Sequence, residues 1–502
     1  MRRMKPSLGA VLAGALAVAG CTPGPNYQRP AAPAPPAFKE QPPADFKEAQ
    51  GWKQAQPGDS QPKGKWWEIY KDPELNALEE RVAIDNQSVL QAEAQYREAV
   101  AAVKIVRSGL YPTISSAPSI TGSRSSPRVG AQPGVRGTFT LPVSASWEPD
   151  LWGNIHRSVT AATAQAQASA ADLENARLLY QSELAQDFFA LHGLDRDAEL
   201  LTRTAKSYSE YLDLTRNRYA GGVASDLDVA QAESQLYAAQ TQLVDFGVVR
   251  AQMEHAIAVL TGQPPAALTI SAKSLTTPPP PVPISLPSQL LERRPDIASN
   301  ERLAAAANEQ IGIAKAAFFP SLTLAATAGL EASRITTWIA WPSRFFSIGP
   351  TLAETIFDAG RRRAQVTQDL AAYDAIVAAY RQSVLTAFQQ VEDGLSTMRV
   401  LADESVVADE SVKSSARALT ISTAQYKAGT TAYLTVLTAQ ATALAAERTQ
   451  IDLLTRRLEA SVQLVVSLGG GWDNSQLPAK QNVINAANAP QPAAAPAPAA
   501  TR

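Results

Sequence analysis

The chain reads as one unit written twice. Leu110-Tyr111-Pro112 returns 208 residues later as Phe318-Phe319-Pro320. The seam leading into each proline returns at the same offset. Val89, Ala92, Tyr96, Ala99, Val103, Val106 and Leu110 correspond to Ile297, Asn300, Ala304, Ala307, Ile311, Ala314 and Phe318. Spacings of three and four place such a seam along one stripe of a helix. A second echo, Tyr219-Ala220-Gly221-Gly222 against Tyr426-Lys427-Ala428-Gly429, is offset by 207 residues. A repeated seam with two repeated stops predicts tandem copies, at residues 66–265 and 291–472, joined by a Pro-rich linker at 266–290.

After each proline the period changes to two. Phe139, Leu141, Val143, Ala145 and Trp147 alternate with Thr138, Thr140, Pro142, Ser144 and Ser146. Leu322, Leu324, Ala326 and Ala328 alternate with Ser321, Thr323, Ala325 and Thr327, and Phe346, Ile348 and Leu352 continue the habit. With a Ser/Thr-rich stretch at Thr113–Arg124, this gives two strands per copy and four per chain. At about 10 to 13 residues each, they suit a tilted membrane strand. A soluble hairpin with one wet face has the same alternation. Trp338 and Trp341, in the second turn, suit a membrane interface.

Two proline-free stretches follow the strands, at 154–218 and 361–426. As helices they would each span roughly 100 Å. Ala232, Leu236, Ala239, Leu243, Phe246, Arg250, Met253, Ile257 and Leu260 keep coiled-coil spacing, as do Leu370, Tyr373, Val377, Tyr380 and Val384. The Tyr-x-x-Gly echoes then mark the far tips of two helical hairpins, where glycine permits a left-handed turn. The segment from Leu75 to Leu110 reads as one unbroken helix.

The ends carry other signals. Arg2, Arg3 and Lys5 precede an apolar run from Leu8 to Ala19, too short to span a bilayer, so residues 1–20 read as a secretory signal. Val18-Ala19-Gly20-Cys21 resembles a lipoprotein cleavage box. Cys21, the single cysteine, is then the lipid-bearing mature N-terminus, and that covalent lipid is the one cofactor expected. Thr22, rather than an acidic residue, resembles sorting to the outer membrane. Residues 21–65 are expected to be an extended, poorly packed strap, and 473–502 an Ala/Pro-rich disordered tail.

Composition narrows the functions. Lys+Arg total 45 and Asp+Glu 47, a net charge of −2, which excludes a strongly basic nucleic-acid binder. One cysteine excludes a cysteine-cluster metal site, and the three histidines are scattered. No Walker loop, HExxH helix or GxSxG elbow is present, so neither an enzyme nor a metal centre is expected.

Four strands cannot close a barrel, since about eight are needed, and lipid tolerates no open sheet edge. Copies must therefore pool strands. Two chains supply eight and three supply twelve, with Ser and Thr inside around water. The fold class expected is mainly α with a membrane β-barrel, the helices forming a second, coaxial tube. The different-class alternative is a lipid-anchored periplasmic coiled-coil scaffold without a pore.

Motifs along nearly the whole mature chain resemble the TolC-type outer-membrane efflux factors, in their NodT-like lipoprotein branch. They are Cys21-Thr22-Pro23-Gly24-Pro25-Asn26-Tyr27, Trp66-Trp67, Asp72-Pro73-Glu74-Leu75, Leu110-Tyr111-Pro112, Asp150-Leu151-Trp152-Gly153, Arg293-Arg294-Pro295-Asp296-Ile297, Phe319-Pro320, Phe357-Asp358-Ala359-Gly360-Arg361 and Gly469-Gly470-Gly471-Trp472. The resemblance implies a homotrimer with a twelve-strand barrel above a helical periplasmic barrel. It implies a passive duct served by a periplasmic adaptor and a proton-driven inner-membrane pump, for small molecules such as drugs. Protein secretion and metal export are the rival cargoes. It also implies a gate at the periplasmic tips, with Tyr219, Gly222, Asp226 and Asp228 in the first and Tyr426, Gly429, Thr435 and Thr438 in the second. Relatives often have Asp where Thr435 and Thr438 stand, which leaves Tyr426 as the better closing contact. Asp226 and Asp228, after a glycine turn, suit helix N-capping better than gating.

Overall fold

The computed structural model describes residues 23–40 except 33 and 36, 64–281 except 125, 127 and 129–134, and 292–489. The signal, Cys21, most of the linker and the last residues lie outside the described part.

The described chain opens with a strap, residues 23–40. It is extended, but it is closely packed, which corrects the expectation of a loose segment. The Tyr27 hydroxyl donates to the Glu301 carboxylate at 2.6 Å, and the Arg29 guanidinium donates to the Tyr380 hydroxyl at 3.3 Å. The Lys39 and Glu40 amides donate to Glu392 at 2.7 and 2.8 Å. Gly24 lies so close to Gly312 that a Cβ on Gly24 would stand 2.6 Å from the Gly312 Cα. Polar side chains and the close approach at Gly24 seat this strap, together with Ala32 and Phe38, which pack against the main core.

A 3₁₀ turn at Trp66–Tyr70 leads to α1 (Pro73–Asp85) and α2 (Gln87–Ser108). The seam expected as one helix is broken at Asn86, whose backbone is extended (φ −63°, ψ 122°). Its side-chain oxygen accepts from the Ser88 and Val89 amides, and its Nδ2 donates to the Leu260 carbonyl at 2.8 Å. One asparagine thus caps the helix after it and the end of another helix. A seam records only which side is apolar, so it continues through such a break.

Strands β1 (Thr113–Ser116), β2 (Ser119–Ser123) and β3 (Arg136–Trp147) follow, then α3 (Asn154–Ala220) and α4 (Asp226–Leu260). The second half brings α5 (Pro295–Ala316), β4 (Ser321–Ala332), β5 (Arg344–Ala353), α6 (Arg361–Lys427) and α7 (Tyr433–Ser467). The sheet is antiparallel in the order β1-β3-β4-β5, and β2 also pairs with β3. Five strands are present rather than four, but β1 and β2 share one register on β3: Ser116 faces Val143 and Ser119 faces Thr140. They are one stave interrupted at Ala117-Pro118. Proline has no N–H to give the ladder, which accounts for the gap.

The outgoing helices α3 and α6 are each 67 residues long, and the returning α4 and α7 are each 35. At 1.5 Å per residue the long helices run about 100 Å. Beyond the end of α4, α2 takes over beside α3, and beyond the end of α7, α5 takes over between α3 and α6. Near the sheet the layer runs α2-α3-α5-α6, and toward the tips it runs α4-α3-α7-α6. The long helices therefore form a layer four helices wide at both levels, with α1 packed on α3.

The main core lies midway. Trp66, Trp67 and Tyr70 meet Leu184, Phe188 and Leu191 of α3, Val384 and Val391 of α6, and Val462 of α7. Burying each such side chain contributes about 1.5–3 kcal/mol. The tail is corrected as well. Lys480–Asn488 forms α8, whose Val483 and Ala487 pack on Val103 and Ala166.

Candidate functional site

Strand register sorts the sheet into two chemically different faces. Ile114, Val143, Ala145, Ala326, Ala328, Phe346 and Ile348 fall on one side, because Ile114 pairs with Ala145, Ala145 with Ala326, and Ala326 with Ile348. The other side is a hydroxyl ladder. Ser115 pairs with Ser144, Ser144 with Thr327, and Thr327 with Ser347, and the Ser144 and Thr327 hydroxyls are 3.1 Å apart. No residue of the five strands is buried. Phe346 and Ile348 are 79% and 78% exposed. In water such a face is strongly unfavourable, whereas in lipid it is at home. Among the described residues no helix is long and apolar enough to cross a membrane.

Aromatic rings mark both ends of the sheet. In the β4–β5 turn, Trp338 lies 5.7 Å from Phe139, and Arg344 covers the Trp341 ring at 3.4 Å. At the helical end, Trp152 stacks on Phe319 at 4.7 Å and Trp147 donates to the Leu110 carbonyl at 3.1 Å. Paired aromatic girdles suit two membrane–water boundaries.

The tips lie at the opposite end. Gly222 (φ 72°) and Gly429 (φ 78°) turn the two hairpins in the left-handed region. The two echoed tyrosines part company. Tyr219 is exposed, and Tyr426 is buried against Tyr208, Leu212, Tyr433 and Val436. Arg218 donates to the Tyr426 carbonyl at 3.1 Å and lies 4.7 Å over its ring, while Thr215 meets the Tyr426 hydroxyl at 3.4 Å. Burial first, then the neighbouring phenol of Tyr426, pushes Tyr433 up to about 12.

The other named tip residues serve their own helices. Asp228 completes a capping box, accepting from the Ser225 amide at 2.9 Å while the Ser225 hydroxyl accepts from the Asp228 amide at 3.2 Å. Asp226 is exposed in the first turn of α4. Thr435 accepts from the Thr431 hydroxyl at 3.1 Å, and Thr438 donates to the Leu434 carbonyl at 2.9 Å. The structure therefore gathers Tyr426 with Arg218, Thr215 and Tyr433, three partners that motif reading passed over. One signal was available: Arg218 precedes the first echo where Gln425 precedes the second.

An exposed two-faced sheet at one end of paired helical hairpins is the build of an outer-membrane channel protein. A model of the outer membrane efflux protein family matches residues 79–263 and 286–470, and the chain belongs to that family. It is 31% identical to the pyoverdine export outer membrane protein OpmQ of Pseudomonas aeruginosa, over 82% of this chain and 88% of that one. It is likewise 31% identical to the toluene efflux pump outer membrane protein TtgC of Pseudomonas putida, over 93% and 96%. Among solved structures it superposes on the outer-membrane channel OprN with a TM-score of 0.82 at 29% identity, covering 90% of this chain and all of that one. VceC of Vibrio cholerae gives 0.77 at 28%, covering 82% and 100%. The protein is an efflux duct of the outer membrane.

Proposed function

We propose that three copies of this chain close a twelve-stave barrel in the outer membrane, with the helical layers joined below into a periplasmic tube. The observation that carries this reading is the sheet, with two unpaired edges, one apolar face, one hydroxyl face and neither face covered. Lipid permits no open edge, so each edge has to meet a neighbour. The layer of four helices is also open at both sides. The two family matches, one in each half of the chain, support the tandem repeat.

The duct does no chemistry in this reading. A periplasmic adaptor meets its tips, and an inner-membrane pump driven by protons supplies the work. The cargo is small organic molecules, as the names of the pyoverdine and toluene relatives suggest. The tip around Tyr426 is the gate, and a lipid on Cys21 holds the strap to the membrane. Native mass spectrometry of the full chain should find trimers, and planar bilayers should find discrete conductance. Monomers without conductance would leave the scaffold alternative. Cys21→Ser should lose the lipid mass yet still assemble, and a retained diacylglycerol mass would refute the anchor.

A further inference from the structure

We propose that the wall of the upper helical tube holds a transit site for small amphipathic cations. The inference rests on the duct reading, which makes one face of the helical layer luminal.

Helix α5 identifies that face. Glu301, Asn308 and Gly312 all touch the strap. The 3.6-residue period places them on one stripe. Leu303, Gln310 and Ile313 fall on the opposite stripe. On α3, Thr160 and Gln167 turn toward the C-terminal segment, accepting from Lys480 at 3.0 Å and donating to the Pro478 carbonyl at 2.8 Å. Ser158 and Gln165 point the other way. A strap that leads back to a membrane anchor must run outside any closed tube. The face turned away from the strap and from that tail is therefore the inner one.

On that inner face a hollow of about 590 Å³ opens between α2, α3, α5 and α6. Five alanines line it, and their small side chains create the room. Leu303, Ile313 and Ile376 add apolar wall, while Gln165 and Gln310 supply amides. Asp369 is the one charged residue among those lining the hollow. It accepts from the Gln365 amide at 3.0 Å. Among the described residues no basic side chain lines the hollow to neutralise it. The volume falls in the range of drug-sized ligand sites, about 300–1,000 Å³. A lone carboxylate beside an apolar wall favours a positive group attached to a flat apolar body. A neutral guest forgoes the Coulomb attraction and an anion is repelled. The hollow is open along the tube, so the site holds a guest in passage rather than sealing it in.

The test uses the full chain in lipid nanodiscs with rhodamine 6G, a cationic dye, and fluorescein, an anionic one, read by fluorescence polarisation. Rhodamine 6G should bind and fluorescein should not. Asp369→Asn should weaken rhodamine binding about tenfold, and Ala306→Trp, which fills the hollow, should abolish it. Raising salt should weaken binding to the unmodified protein and leave the Asp369→Asn protein little changed. Both variants should remain trimeric and conducting, which separates a lost site from a lost fold. Equal rhodamine signals from all three proteins, as lipid partition would give, would overturn the site. So would the absence of any signal. If conductance persists in either case, the duct reading stands and the site alone fails. A chain that neither assembles nor conducts removes the duct reading itself.

Discussion

Arg218 holds Tyr426 in two ways at once, donating to its backbone carbonyl at 3.1 Å while its guanidinium lies 4.7 Å over the phenol ring. The Lys427 carbonyl accepts from it as well, at 3.4 Å. One side chain from the end of α3 thereby caps the C-terminal carbonyls of α6 and stacks on its last buried ring. The two hairpin tips are tied across sequence positions 208 residues apart.

Removing that tie should free the second tip. Arg218→Ala should cost about 1–2 kcal/mol locally, from a lost cation–π contact and uncapped carbonyls. Amide hydrogen exchange over 424–431 should quicken, and leak conductance should rise. Arg218→Lys should fall between, since an ammonium cannot span both carbonyls and the ring in a planar fork. Exchange rates unchanged in the alanine protein would show that the tips are held elsewhere.

Asp228 gives a cleaner separation of cap from gate. Asp228→Ala breaks the capping box and should lower stability by about 1 kcal/mol, through fraying at the start of α4. Charge reversal to lysine should do this and also change leak conductance, if the group faces the lumen. Equal conductance in the alanine, lysine and unmodified proteins would leave Asp228 as a cap alone.

Asp187, midway along α3, predicts a pH dependence. Burial, with Glu183 nearby, raises its carboxyl from 3.8 to about 6. The folded state thus holds this proton more tightly than the unfolded one. Below the unfolded value the group costs nothing. As pH climbs from 4 through 6 the folded state loses stability, and the full penalty is present by pH 7. Solvent reaches the group, so the penalty is roughly 1–2 kcal/mol. Asp187→Asn should raise Tm at pH 7.5 and leave it nearly unchanged at pH 4. A gain of the same size at both values would point to packing instead of charge.

Arg157 and Glu309 pair at 2.7 Å, with side-chain exposures of 9% and 12%. Arg157→Met strands a carboxylate in the α3–α5 seam and should cost about 3–5 kcal/mol. Replacing both, with Met and Leu, should recover most of that loss. Denaturant midpoints of the single and double variants decide it: a double variant as unstable as the single would mean that shape, not charge, makes this contact.

Much of the fold was legible because repetition and period are local properties. The seam at Val89–Leu110 marked a helix, and the alternation at Phe139–Trp147 marked a strand with a hydroxyl side. The break at Asn86 was not legible, since its cause is the Leu260 carbonyl far along the chain. Nor was the seat of the strap, which depends on Glu301 of α5 and Tyr380 of α6 both being presented to it. The disorder expected after Trp472 failed at Lys480–Asn488 for the same reason. Val483 and Ala487 are too few to announce a helix, yet α2 and α3 offer them a groove.

The tip teaches the same lesson more sharply. Tyr219 and Tyr426 stand at matching places in the two sequence echoes, and apart from Arg218 standing where the second echo has Gln425, nothing local set one in water and the other in a core. Chain order determined the strands, the long hairpins and the glycine turns, because period and glycine act within a few residues. Which tyrosine is clasped, where the strap lies and which helix face surrounds a hollow were decided only by tertiary packing. Those outcomes depend on side chains hundreds of residues apart meeting within hydrogen-bonding distance.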